Sequence, residues 1–290
     1  MDIDNTSHVL TPRGWWFGLS RCINNAVRVK VGRSWNEDLI TESILSRLTH
    51  DFAAVELLGP DGGPRAIPYR MAWDAFKLSG TTEHAHGDIA ILVKQTFASG
   101  AYSVGVAFLE AKRLYRDSQQ FNGLDRSQLE RQLGTSCAHR LLLYDWNPID
   151  IGAEDTLALQ MQETGQDATE MAVCLPTPVA LGVQDADRGL YPYALPLSYV
   201  LATRYLQGME LDTHPPTVGG PTEFIEKRGG VKFLCVANVS HTMDYRPEPN
   251  TRLSSELAHR YERLSDDAGT QKAVQKPPRS GGDQSIGGMS

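Results

Sequence analysis

Two short apolar runs, each bordered by a carboxylate, constrain this chain more than any other feature. Gly87-Asp88-Ile89-Ala90-Ile91-Leu92-Val93 sets an acid just ahead of a β-like run, and Val104-Gly105-Val106-Ala107-Phe108-Leu109 leads directly into Glu110-Ala111-Lys112. Between them, Phe97-Ala98-Ser99-Gly100-Ala101 is a turn short enough to join an antiparallel pair. Side chains two apart on a strand share a face, so Glu110 and Lys112 project together while Ala111 points away. Charges held close together beside an apolar strand need a reason. Two carboxylates and a lysine on adjacent strands are what a hard cation and a phosphodiester require.

This order, an acid entering one strand and Glu-x-Lys on the next, resembles the PD-(D/E)XK, or restriction-endonuclease-like, nuclease superfamily over about residues 36 to 146. The chain departs from the pattern at Gly87, where the signature has proline. A literal Pro60-Asp61 is followed by Gly62-Gly63-Pro64, which reads as a turn, so it is rejected as the metal acid. The resemblance implies an α/β fold with a restriction-endonuclease-like core, a central mixed β-sheet flanked by helices. It implies Mg²⁺-dependent hydrolysis of phosphodiester bonds, Mn²⁺ substituting, in DNA ahead of RNA. Asp88 and Glu110 would bind the metal with the carbonyl of Ala111, and Lys112 would orient or deprotonate the attacking water. By analogy, such small nucleases belong to prokaryotic restriction or anti-phage systems. The competing expectation is a non-catalytic nuclease-like scaffold that binds nucleic acid or protein, against which the intact Asp88, Glu110 and Lys112 count.

The neighbouring helices add candidates. Ser34 and Glu37 have the spacing of a capping box, and Ile40, Ile44, Leu45, Leu48 and Phe52 recur at helical period, so a helix is expected over residues 35–52. By the resemblance this helix supplies an outer metal ligand, Glu42 in preference to Glu37, whose cap role already accounts for it. Residues 113–123 form a polar loop in which Arg113 and Arg116 are candidates to hold phosphates. Asp125 and Gln128 fit a second capping box, opening a helix with Leu129, Leu133 and Cys137 on one face and Gln128 and Gln132 on another. The resemblance places a glutamine of this helix near the site, Gln132 ahead of Gln128. A buried strand over 140–146 completes the order helix, strand, strand, helix, strand. His84 and His86 lie beside Asp88, with no third ligand at a recognisable zinc spacing.

The net charge of −7, from 28 basic and 35 acidic residues, excludes a general nucleic-acid coat protein and confines any such surface to a local patch. Cys22, Cys137, Cys174 and Cys235 form no Cys-x-x-Cys pair, which excludes a zinc ribbon and fits a reducing compartment. With no membrane-length apolar run and no signal-like start, the expected location is cytoplasmic. The expected partners are nucleic acid, with a protein partner or a homo-oligomer as options and no membrane. The expected organisation is an arm (1–34), the nuclease-like core (35–147), a C-terminal α/β extension (148–250), and a short helix with a disordered tail (251–290). Within the extension, 171–175, 178–183 and 231–239 read as strands and 197–209 as a helix.

Overall fold

All the strands among the described residues join one mixed sheet. The structure, a computed structural model, describes residues 8–32, 34–57, 69–79, 87–121, 123–150, 169–183, 185–214, 231–242 and 253–264, with 223, 225 and 247. The strands are β1 (His8–Leu10), β2 (Ala54–Leu57), β3 (Tyr69–Leu78), β4 (Ile89–Thr96), β5 (Tyr102–Arg113), β6 (His139–Asp150), β7 (Thr169–Pro176), β8 (Leu195–Pro196), β9 (Phe233–Ser240) and β10 (Tyr261–Arg263). Their order is β1-β2-β3-β9-β4-β5-β6-β7-β8, with β10 added on β3. β4 and β5 form the expected antiparallel hairpin, closed by a bond from Phe97 N–H to Ala101 O and by Gly100 at φ +79°. Parallel pairs β9/β4 and β5/β6 flank the hairpin.

The described helices include α1 (Pro12–Arg28), α2 (Glu37–Asp51), α3 (Arg126–Leu133), α4 (Thr177–Gly182), α5 (Leu197–Thr203) and α6 (Ser255–Ala258). Alternation along the strands sends Met71, Trp73, Ile89, Ile91, Leu109 and Leu142 to one face, where α1, α2 and α5 cover them. The other face carries two separate clusters. Phe76, Leu92, Phe108 and Leu234 pack with Leu257 and Tyr261, while Leu129, Leu141, Leu143, Leu175 and Ala180 pack where α3 and α4 cross the sheet.

Several expectations change. Residues 148–250, expected as an extension, add β7 and β8 to the same sheet, and their β9 sits inside it, between β3 and β4. The arm over 1–34 holds α1, whose Trp15, Leu19 and Ile23 have no exposed surface. β2 and β3 stand between α2 and the hairpin. The segment 178–183 is helical as α4, and 197–209 breaks after α5 into a 3-10 turn, Tyr205–Gln207, ended by Gly208 at φ +78°. Tyr261 lies on β10, not on a helix. Pro60-Asp61, His84, His86 and the tail from 265 lie outside the described residues. All four cysteines are free, and no helix among the described residues is long and apolar enough to cross a membrane.

Candidate active site

The site exists because β5 outruns β4. Ile89, the first residue of β4, lies opposite Leu109, yet β5 continues to Arg113. On the side that β4 leaves open, the N–H groups of Ala111 and Arg113 have no strand to bind, and buried N–H groups need acceptors. Asp88 Oδ2 accepts from Ala111 N at 2.9 Å, and Glu37 Oε1 accepts from Arg113 N at 3.2 Å. Two carboxylates thus finish the ladder that β4 leaves short. Gly87 explains the missing proline of the resembled motif. Its φ is +101°, which proline's ring forbids, and a Cβ there would stand 2.9 Å from Leu109 O.

Glu110 is 3% exposed and takes three donors. Lys112 Nζ reaches Oε1 at 2.6 Å, Gln128 Nε2 reaches the same oxygen at 3.0 Å, and Gln132 Nε2 reaches Oε2 at 2.8 Å. Both glutamines are brought to the site. Asp125 caps α3 by accepting from Ser127 N while its own N–H binds Gly123 O, so Gln128 is not drawn back into a capping box, and the four-residue spacing stacks the two amides over one carboxylate.

The charges are unevenly compensated. Burial, and next the neighbouring Glu110, push the Asp88 carboxyl up to about 7, opposed by its bond from Ala111 and by Lys112. Burial works against the charged form of Lys112, yet Glu110, Asp88 and Glu37 together hold its pKa above the ordinary value. Burial likewise raises the Glu37 carboxyl, against the pull of the Arg113 N–H and of Lys112.

The structure does not bring Glu42 to this cluster. Its carboxylate pairs with Lys77 of β3 at 2.6 Å, so the acid that α2 contributes is Glu37. Asn36 caps α2 in place of Ser34, accepting from Asp38 N and Leu39 N, which releases Glu37 from the role that had accounted for it. The signal was present, since asparagine is among the strongest N-caps. Arg113 donates to Trp35 O and stacks 4.1 Å from the Tyr115 ring, while Arg116 lies over Trp146 at 5.4 Å. Arg126 and Arg140 bind elsewhere, to Leu181 O and Val183 O and to Glu210 respectively.

Among the described residues no three Asp, Glu, His or Cys side chains gather into a metal site. Mg²⁺ keeps several waters and asks for only one or two carboxylates, so the pair Asp88 and Glu110 fits such an ion chemically. The Ala111 carbonyl lies on the same edge of β5 as its N–H and adds a third oxygen there. Comparison with known proteins found no family model, curated protein or solved structure that matches this chain.

Proposed function

We propose that this protein is a Mg²⁺-dependent nuclease with a restriction-endonuclease-like core, hydrolysing phosphodiester bonds in DNA ahead of RNA. The observation that carries the reading is Asp88: a half-buried carboxylate with one hydrogen bond among the described residues, set beside a second carboxylate and a lysine at the open end of a strand. Among those residues it has no ion pair of its own, and a divalent cation would provide the counter-charge. Asp88 and Glu110 would hold the ion, with the Ala111 carbonyl beside them; when bound, the ion lowers the pKa of water and neutralises charge gathering on the phosphate. Gln128 and Gln132 hold the Glu110 carboxylate in one orientation. Lys112, kept protonated by three acids, serves as a donor to the phosphate or the attacking water and not as the base. Glu37, which the resemblance passed over in favour of Glu42, is the outer acid. Arg113 and Arg116, stacked on Tyr115 and Trp146 at the end of β5, would meet the phosphate backbone. A role in restriction or anti-phage defence is an analogy that rests on the resemblance alone.

One observation favours a scaffold reading. Both oxygens of Glu110 already accept from protein donors, as in a closed structural network. Metal-stripped full-length protein, assayed on single- and double-stranded DNA and on RNA, separates the two. The nuclease cuts when Mg²⁺ or Mn²⁺ is restored and stops in excess EDTA. Cleavage that persists in chelator overturns the mechanism, and a protein that neither cuts nor binds Mn²⁺ is the scaffold.

A further inference from the structure

A second polar cluster lies on the face covered by α1, α2 and α5. Arg140 of β6 alternates with Leu142 and Tyr144, which both belong to that face, and is only 9% exposed. Its Nη2 pairs with Glu210, and its guanidinium also lies against the hydroxyl of Tyr205, a residue with no exposed surface. That contact uses the phenol oxygen as an acceptor, so among the described residues the Tyr205 O–H has no acceptor of its own. Arg204 Nε is buried too and makes only a long ion pair, 3.7 Å from Glu210 Oε1. The groups are neighbours: burial drives the Tyr205 phenol's pKa up, Arg140 opposes that rise, and Glu210 adds to it. Buried donors are nearly always satisfied, so two under-satisfied ones, the Tyr205 O–H and Arg204 Nε, beside a carboxylate shared by two arginines point to a missing acceptor.

Glu210 is an awkward occupant of this position. Its φ of +56° is left-handed, a conformation that side chains with a Cβ rarely adopt, and it follows Gly208 at φ +78°. Its side chain is 37% exposed and that of Arg204 35%, so the cluster opens to solvent where Glu210 sits. Among the described residues the two guanidiniums share this one carboxylate. A phosphate monoester carries about −1.5 to −2 charge at neutral pH and offers three acceptor oxygens. That is the complement of two arginines and a phenol.

We propose that Arg140, Arg204 and Tyr205 form a binding site for the phosphate monoester group of a small molecule, with Glu210 occupying it as a built-in stand-in. When the phosphate enters, Glu210 swings outward and the orphaned donors find oxygens; no covalent bond changes. The site uses none of the residues assigned to hydrolysis, so it stands whether or not the nuclease reading does.

The test uses full-length protein and calorimetric titration with inorganic phosphate or acetate, against chloride at matched ionic strength. Glu210→Gly removes the stand-in and accepts the left-handed backbone. It is expected to bind inorganic phosphate about ten-fold tighter than wild type, and adding Tyr205→Phe or Arg204→Gln should lower that affinity about ten-fold. Acetate is expected to bind more weakly than phosphate. No saturable phosphate binding by Glu210→Gly overturns the proposal and leaves the donors to ordered water. Equal binding of acetate overturns the phosphate assignment. If Glu210→Gly does not fold, thermal melting of wild type decides: a phosphate-specific rise that Tyr205→Phe abolishes supports the site, and no such rise refutes it.

Discussion

Asp145, buried, and Asp88, half-buried, are carboxylates of the same sheet, and the protein treats them in opposite ways. Asp145, 1% exposed on β6, accepts four hydrogen bonds: Arg188 Nε at 2.7 Å and Nη2 at 3.0 Å, Tyr191 hydroxyl at 2.6 Å, and Asn147 N at 2.8 Å. Every lone pair that matters is used, and the charge has a bidentate cation of its own. Among the described residues Asp88 accepts one bond, and its nearest charged neighbours include a second acid. The nearby lysine gives its hydrogen bond to Glu110 instead. Saturation alone is not the distinction, since Glu170 is fully buried with Oε2 unpartnered among the described residues and is also pushed up to about 7 by burial. What sets Asp88 apart is the like charge of Glu110 and the lysine beside it, and that grouping is the physical ground for reading function into the end of β4.

The contrast is broken most forcefully by activity. Lys112→Ala and Asp88→Ala are each expected to lower cleavage by about 10³-fold or more while the fold persists, because they act on the transition state or its metal. A cleavage assay beside a melting curve checks this, and wild-type rates in both variants would sink the assignment. Asp145→Ala should do the reverse, costing about 3 kcal/mol of stability by stranding Arg188 and Tyr191, as read from denaturant unfolding. Little loss there would mean that saturation is not what Asp145 provides.

A smaller effect sharpens the comparison through pH. The folded Asp88 pKa of about 7 lies above its ordinary 3.8, so the folded state holds the proton more tightly than the unfolded chain. The stability this group contributes is complete below about pH 4 and is lost as pH climbs through 7. Asp88→Asn, which still accepts from Ala111 N, should therefore melt like wild type at pH 4 and higher at pH 8, by about 1 kcal/mol or 2–4 °C. Equal melting at pH 8 would show that Asp88 is not under-bound. Smallest of all, replacing both Arg113 and Arg116 with alanine should flatten the salt dependence of DNA binding by about one to two in slope. An unchanged slope returns them to the solvated surface.

Much of this was legible in one dimension because it depends on local periodicity. The β4/β5 hairpin followed from two apolar runs and a glycine turn. The projection of Glu110 with Lys112 followed from a two-residue repeat, and the stacking of Gln128 with Gln132 from a four-residue one. The choice between Glu37 and Glu42 also turns on a local feature: Asn36, not Ser34, caps α2, so Glu37 is free of capping. The misread strand at 178–183 is a six-residue apolar run after Pro176, too short for its period to separate helix from strand.

What the sequence by itself determined is the set of elements and which residues on each share a face, since backbone geometry at that range admits few alternatives. Only the tertiary structure decided that β9, from far along the chain, enters the sheet between β3 and β4, and that Lys77 takes Glu42 while Arg113 N–H takes Glu37. Only it decided that Arg188 and Tyr191 close on Asp145 while Asp88 is left with one donor. Those choices depend on which distant backbone and side-chain groups are buried together. Each polar group must then find a partner among neighbours that the order of residues does not specify.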